Sequence, residues 1–141
     1  MSKRPIVFTT NHRIRFSDLD PYAHVSTGNY ARYFVDHRME GFYDVLGWDQ
    51  ETLATLPFMA WVRRLEIDFI RPARDHQKIT ITSFVREFRG PDAVVDCTMV
   101  DDAGKSLAQC VMTIAYVDRT IGRAADWSPE AMAAFYEDGS G

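Results

Sequence analysis

Asp20 is the residue of this sequence that is best placed to carry out chemistry. It precedes Pro21, whose fixed φ ends the extended run before it and biases Asp20 itself toward an extended backbone. A few residues later the run Ser26-Thr27-Gly28-Asn29 is typical of the start of a helix, where the first backbone N–H groups have no partner inside the helix. A carboxylate beside such groups indicates acyl transfer, because the N–H groups can bind the negative oxygen that develops on a carbonyl.

Other catalytic chemistries have less support in the residues. The sequence contains no Gly-x-Ser-x-Gly motif, so a serine mechanism of the α/β-hydrolase type is not indicated. Cys97 and Cys110 lie inside apolar runs typical of strands, where a buried thiol is a poor nucleophile. No familiar ligand spacing occurs among the acidic and histidine side chains around Asp20, and we predict no metal site.

One long helix must position this segment. Apolar residues recur at spacings of three and four from about Gly28 to Leu46, which predicts an amphipathic helix about 27 Å long. Its apolar face consists of Ala31, Phe34, Val35, Met39, Phe42 and Leu46. Its polar side carries Asn29, Arg32, Asp36, Glu40 and Asp44.

Strands come before and after this helix. The alternation from Arg13 to Phe16 predicts a strand that leads directly into the Asp20 segment. Four alternating or apolar runs after the helix predict strands at residues 61–70, 79–88, 94–100 and 107–117. Short turn-rich connections make these neighbours antiparallel, and Ser128 starts a short terminal helix. The element order predicts an α+β fold in one domain over residues 1–141, with one helix packed on a curled antiparallel sheet.

The composition restricts the class of protein. The 141 residues are 46% hydrophobic and 26% charged, as in an ordinary globular domain. A net charge of -4 argues against a nucleic-acid or anionic-membrane partner. No run approaches the length of a membrane span, no signal peptide is apparent, and two cysteines require no oxidising compartment. We therefore expect a cytoplasmic protein.

The segment around Asp20 resembles a known family. The stretches Asp18-Leu19-Asp20-Pro21, His24-Val25 and Asn29-Tyr30, with the order of elements, are similar to hotdog-fold thioesterases of the 4-hydroxybenzoyl-CoA thioesterase-like group. The resemblance implies a hotdog fold, in which a curled antiparallel sheet wraps around one long central helix. It also implies a homodimer with active sites between subunits, pairing of dimers into tetramers, and no metal or cofactor.

The resemblance assigns roles to residues of this motif. It makes Asp20 the catalytic carboxylate, and it makes a backbone N–H at Thr27 or Gly28 the group that polarises a thioester carbonyl. His24 either orients water, bonds a carboxylate or packs within the loop. The further residues expected to contact the substrate are Tyr22, Val25, Asn29, Tyr30 and Trp61, the last being either a core residue or part of the acyl pocket.

The predicted reaction is hydrolysis of an acyl-CoA thioester to a carboxylic acid and CoA. Because thiolate is a good leaving group, Asp20 can attack the carbonyl directly or act as a general base on water, and the sequence does not choose between these roles. Asp18 is expected to be a loop or capping acceptor. Two alternatives stay open: a non-catalytic acyl-CoA-binding sensor, and a hotdog dehydratase or hydratase acting on an acyl thioester.

Basic residues are concentrated in the middle of this acidic chain. They form either a solvated strand face or a site for the phosphates of CoA. The cluster comprises Arg63, Arg64, Arg71, Arg74, Lys78, Arg86 and Arg89. From it, the candidates for substrate binding are Arg63, Arg64, Arg71 and Arg74.

Overall fold

A six-stranded antiparallel sheet and one long helix form the body of the computed structural model, which describes residues 2–139. Residue 1 and residues 140–141 of the predicted domain lie outside the described residues. The helices are α1 (Thr27–Asp44), α2 (Gln50–Thr55) and α3 (Pro129–Ala133). The strands are β1 (Lys3–Pro5), β2 (Phe8–Arg13), β3 (Phe58–Phe69), β4 (Lys78–Arg89), β5 (Asp92–Asp101), β6 (Ser106–Asp118), β7 (Arg123–Ala124) and β8 (Tyr136–Asp138).

The main sheet has the strand order β2-β4-β5-β6-β3, and the short strand β7 also pairs with β6. The hairpins that join β4 to β5 and β5 to β6 turn at Gly90 and Gly104, whose positive φ angles of 60° and 79° favour glycine. Register shifts in β3 and β4, at Val62/Arg64 and Val85/Glu87, interrupt the regular pairing of these long strands. These connections confirm the predicted antiparallel succession of four strands after the helix.

Helix α1 packs on the concave face of this sheet, which confirms the α+β hotdog architecture expected from the sequence. Gly41 allows the close approach of helix and sheet, because a Cβ there would lie 2.1 Å from Cδ2 of the buried Phe8 ring. The helix begins and ends within two residues of its predicted limits. One residue of the predicted apolar face, Met39, is exposed, because the buried face is rotated toward His37 and Arg38.

The chain between β2 and α1 differs from the prediction. Strand β2 ends at Arg13, and Phe16–Asp18 forms a 3₁₀ turn in which Phe16 is 80% exposed. The predicted alternation fails because Ile14 enters the core while the chain bends immediately after it. Asp20 therefore belongs to a turn and does not lie at a strand end. The short elements α2, β1, β7 and β8 were also not predicted.

A series of hydrogen-bonded polar side chains lies in the core between α1 and the sheet. The hydroxyl of Thr10 lies 2.7 Å from both His12 Nε2 and His37 Nδ1. His37 Nε2 lies 2.6 Å from the hydroxyl of Ser83, which also accepts a hydrogen bond of 3.0 Å from Arg38. Burial, with a further contribution from the Arg38 charge, lowers the pKa of His37 to about 3, so this imidazole is neutral at pH 7.

Candidate functional site

Asp18 anchors the loop between β2 and α1. Its buried carboxylate accepts hydrogen bonds from the hydroxyl of Tyr33 and the guanidinium of Arg32, and from the backbone N–H of Arg15 at 3.2 Å. Burial alone raises the pKa of Asp18, but the hydrogen bonds and the Arg32 charge together hold it below its ordinary value. Asp18 is thus a buried, ionised anchor, and its carboxylate has no free face for chemistry.

The backbone of Asp18 is tied to the start of the helix. Its C=O accepts hydrogen bonds from the N–H of Ser26 at 2.9 Å and from Nδ2 of Asn29 at 3.0 Å. Asn29 also donates to the hydroxyl of Ser26 at 2.8 Å, and the Ser26 side chain makes no capping hydrogen bond to the helix. A Cβ built on Gly28 would meet no atom within 4 Å. The N-terminal turn of α1 therefore borders open space without a side-chain cap.

Asp20 lies in the tight turn that follows. Its Oδ1 accepts hydrogen bonds from the backbone N–H groups of Tyr22 at 2.9 Å and His24 at 3.4 Å, while its own N–H donates to the C=O of His24 at 2.8 Å. Ala23 completes the turn with a φ of 61°. Within residues 2–139 no donor reaches the other carboxylate oxygen, Oδ2. The turn holds the carboxylate through one oxygen and leaves the second available.

A cavity of about 340 Å³ lies beside this turn. Its polar lining comes from Asp20, His24 and Thr27 of the loop and helix start, and from Arg71 after β3. Its apolar lining comes from Val25, Tyr30, Phe69, Ile70 and Pro72. The cavity thus brings together a carboxylate, the start of α1 and several apolar side chains.

Tyr30 and Phe69 form the apolar wall. Tyr30 is buried, and its hydroxyl oxygen accepts a hydrogen bond of 3.0 Å from the N–H of Ala73. Its ring meets that of Phe69 edge to face, with the ring centroids 5.0 Å apart. Phe69, Ile70 and Pro72 line the cavity but are not among the site residues predicted from the sequence. The sequence contained a signal for these residues, because they lie at the apolar end of a predicted strand. That end directly precedes Ala73, whose N–H bonds Tyr30.

The structure brings together only some of the predicted site residues. Tyr22 is 81% exposed beside the turn, and the Asn29 side chain bonds the C=O of Asp18 and the hydroxyl of Ser26. Trp61, which is 60% exposed, lies on β3 eight residues before Phe69, or about 26 Å along an extended strand. Trp61 is therefore remote from the cavity of its own chain.

The predicted basic cluster divides into two groups. Four of its members form ion pairs with nearby carboxylates, namely Arg63 with Asp92, Arg64 with Glu66, Arg86 with Asp96 and Arg89 with Glu87. Arg71 lines the cavity and donates to the C=O of Ser106 at 2.9 Å, and Arg74 forms a β-bridge with His24. Among the described residues, no carboxylate forms an ion pair with Arg71, Arg74 or Lys78.

No helix of residues 2–139 combines the length and the hydropathy needed to cross a membrane. No group of three or more His, Cys, Asp or Glu side chains in the same range is arranged to hold a metal ion.

Comparison with protein families gave one match. The model of the thioesterase-like superfamily matches residues 14–135 of the chain. This range contains the Asp20 turn, helix α1 and all the long strands after it. No curated protein sequence matched the chain.

Several solved structures are similar in fold. YbaW, a probable thioesterase from Escherichia coli, is 21% identical with a TM-score of 0.80, over 90% of this chain and 95% of that one. A hypothetical protein from Staphylococcus aureus in complex with CoA is 12% identical with a TM-score of 0.81, over 92% and 82%. A 4-hydroxybenzoyl-CoA thioesterase variant bound to 4-hydroxybenzoyl-CoA is 17% identical with a TM-score of 0.80, over 92% and 98%. These likenesses establish a shared fold.

Proposed function

Because the chain belongs to the thioesterase-like superfamily, we propose that it is an acyl-CoA thioesterase whose active site is the cavity beside Asp20. The observation that carries this proposal is that Asp20, whose Oδ2 meets no donor within residues 2–139, and Thr27 at the uncapped start of α1 line the same cavity. Two of the similar structures hold CoA or a CoA thioester, which supports the choice of substrate class. The apolar wall of Tyr30 and Phe69 is suited to the acyl group.

Each part of the cavity has a role in the proposed reaction. Backbone N–H groups at Thr27 or Gly28 bind the thioester oxygen and stabilise the charge that develops on it. Asp20 either attacks the carbonyl to form a mixed anhydride, expelling the CoA thiolate, or removes a proton from an attacking water. Because the backbone N–H groups of Tyr22 and His24 bind only Oδ1, Oδ2 is free for either role. His24 also lines the cavity, and we assign to it the orientation of the attacking water.

Steady-state hydrolysis of a panel of aromatic, branched and straight-chain acyl-CoAs tests the proposal. We expect release of free CoA and carboxylic acid in equal amounts from at least one member of the panel. Tight binding of acyl-CoA without turnover would instead support a sensor, and conversion between enoyl and hydroxyacyl thioesters would support a hydratase. Either of these results would overturn the thioesterase assignment.

Arg71 and Arg74 are the cations that we propose to bind the CoA phosphates. They adjoin the cavity and form no ion pair within the described residues, whereas Arg89 is paired with Glu87 at the far end of β4. We expect the double charge reversal Arg71→Glu/Arg74→Glu to raise KM for acyl-CoA about tenfold or more with little change in kcat, because these contacts do not change during the reaction.

The matched control for this prediction is Arg89→Glu, which changes the charge of an exposed arginine away from the cavity. A truncated thioester that lacks the nucleotide should respond to neither change. Equal effects of the double variant on both substrates would show that Arg71 and Arg74 act structurally and do not contact the nucleotide.

We also propose that two copies of the chain join through β3. Among the described residues this strand pairs with β6 on one side and with no strand on the other, and it exposes Trp61 and Phe69 toward its opposite ends. Antiparallel pairing of two β3 strands about Leu65 sets Arg64 of one copy opposite Glu66 of the other. The same pairing places Trp61 of one copy beside Phe69 of the other, which would give Trp61 access to the second cavity. Pairing of dimers into tetramers is a further part of this proposal.

Sedimentation velocity at micromolar concentration is the direct test of the dimer. We expect a stable dimer or tetramer, because a long strand edge with exposed aromatic side chains is a strong site for self-association. Replacing Leu65 with proline removes a backbone N–H in the middle of that edge and should shift the protein toward monomer. A wild-type monomer would contradict the proposal.

A further inference from the structure

Two cations face each other across neighbouring strands at the β2 edge of the sheet. Arg13 and Lys78 are direct partners in the antiparallel register of β2 and β4, and both side chains are exposed. Like charges at directly opposed positions destabilise a strand pair. Among the described residues neither cation forms an ion pair with a carboxylate, although the chain carries a net charge of -4. No ion pair of the described residues therefore neutralises these two cations.

A hydrogen-bond donor lies next to the two cations. Asn11 precedes Arg13 by two residues, so its side chain leaves the same face of β2. Its Oδ1 accepts a hydrogen bond of 2.8 Å from the hydroxyl of Thr80, the residue opposite it on β4. Because the carbonyl oxygen of the amide is engaged, its Nδ2 hydrogens are directed away from Thr80 and remain available.

These donors share one cavity. A space of about 440 Å³ is lined by Asn11, His12, Arg13, Lys78, Thr80 and Asp102. Asp102, on the β5–β6 turn, contributes a carboxylate to this lining, and within residues 2–139 it forms no ion pair with either cation. A guanidinium, an ammonium and an amide N–H around one space provide the set of donors that binds a phosphate group.

We propose that Arg13, Lys78 and Asn11 form a binding site for the phosphate group of a nucleotide. The cavity exceeds the size of a single water-bound ion and is open enough for a phosphomonoester with part of its sugar attached. Opposed cations on two adjacent strands bring both charges to one anion, and a bound phosphate removes the repulsion between them. Asp102 repels the anion and limits the affinity of the site.

The nucleotide has two possible sources. One is the nucleotide end of a CoA molecule whose thioester occupies the Asp20 cavity, since residues 71–78 connect the two places. Arg74 forms a β-bridge with His24 at the cavity. Lys78, which faces Arg13, follows four residues later, so at most about 14 Å of extended chain separates it from Arg74. The other source is a free nucleotide that binds independently of the thioester.

Calorimetric titration of the full chain with adenosine 3′,5′-bisphosphate tests the site. We expect Arg13→Gln and Lys78→Gln each to weaken binding about tenfold, and Asp102→Asn to strengthen it. Arg123→Gln, on strand β7, removes an exposed cation at another edge of the sheet and is the matched control. Binding that Arg13→Gln and Lys78→Gln weaken no more than Arg123→Gln does, or no binding to the wild-type chain, would overturn the proposal.

Inhibition kinetics then distinguish the two sources. If the site holds the nucleotide end of CoA, adenosine 3′,5′-bisphosphate competes with acyl-CoA, and Arg13→Gln raises KM for acyl-CoA but not for a truncated thioester. If the nucleotide is independent, the bisphosphate binds without competing. Both outcomes uphold the site, and the calorimetric result does not depend on thioesterase activity. Failure of this proposal is therefore separable from failure of the proposed enzymatic function.

Discussion

Replacement of Asp20 by asparagine is expected to lower kcat by at least about a hundredfold while leaving the fold and acyl-CoA binding intact. Asparagine keeps an acceptor oxygen for the backbone N–H groups of Tyr22 and His24, so the turn is retained. It cannot attack a carbonyl as a carboxylate or accept a proton from water. The start of α1 still binds the thioester oxygen, so affinity should survive the loss of turnover. The measurements are kcat, circular dichroism, and calorimetry with a non-hydrolysable acyl-CoA analogue.

The matched control is Asp18→Asn, two residues earlier in the same loop. Asp18 accepts hydrogen bonds from Tyr33 and Arg32 in a buried cluster, so its replacement should lower the free energy of unfolding by about 2 kcal/mol. The folded variant should keep kcat within about tenfold of wild type, because its carboxylate does not reach the cavity. A folded, active Asp20→Asn protein would remove the proposed mechanism. An inactive but stable Asp18→Asn protein would transfer the catalytic role to Asp18.

The second large effect is a loss of stability in mild acid caused by His37. In the unfolded chain its pKa is about 6.5, whereas burial and the charge of Arg38 lower the folded value to about 3. Between these values the unfolded chain binds more protons than the folded protein does. The free energy of unfolding therefore falls as pH decreases from about 6.5, by up to about 1.4 kcal/mol per pH unit from this residue. Burial also lowers the pKa of His12, which adds to the effect.

Urea denaturation at intervals between pH 7 and pH 5 measures this slope above the range in which carboxylates titrate. His37→Gln should reduce the stability at pH 7, because Thr10 and Ser83 lose their fixed partner, but it should flatten the dependence on pH. His76→Gln, which replaces an exposed histidine, is the matched control. A wild-type free energy of unfolding that is constant from pH 7 to pH 5 would contradict the assignment of a buried neutral His37.

The elements with strong local patterns could be predicted from the sequence. The period of apolar residues located α1 within two residues at either end, because helix periodicity is a local property. The turn around Gly104 indicated the β5–β6 hairpin, since its positive φ favours glycine. Ser128 at the N-cap of α3 was likewise readable, and its hydroxyl accepts a hydrogen bond of 3.1 Å from Ala131. Each of these features depends on residues a few positions apart.

Tertiary structure alone decided which polar residues are buried and which are free. His37 and Arg38 are residue types that a sequence alone would assign to the surface, yet both are buried. Their burial depends on hydrogen bonds to the hydroxyl of Ser83, on a strand about 45 residues away in the chain. Asp18 and Asp20 are the same residue type in one loop, and only the packing of α1 against that loop separates an anchored carboxylate from one with a free oxygen. The division of the arginines depends similarly on strand register, which sets Arg63 beside Asp92 across 29 residues. Burial and ion pairing arise from contacts between distant segments, and local sequence patterns do not contain them.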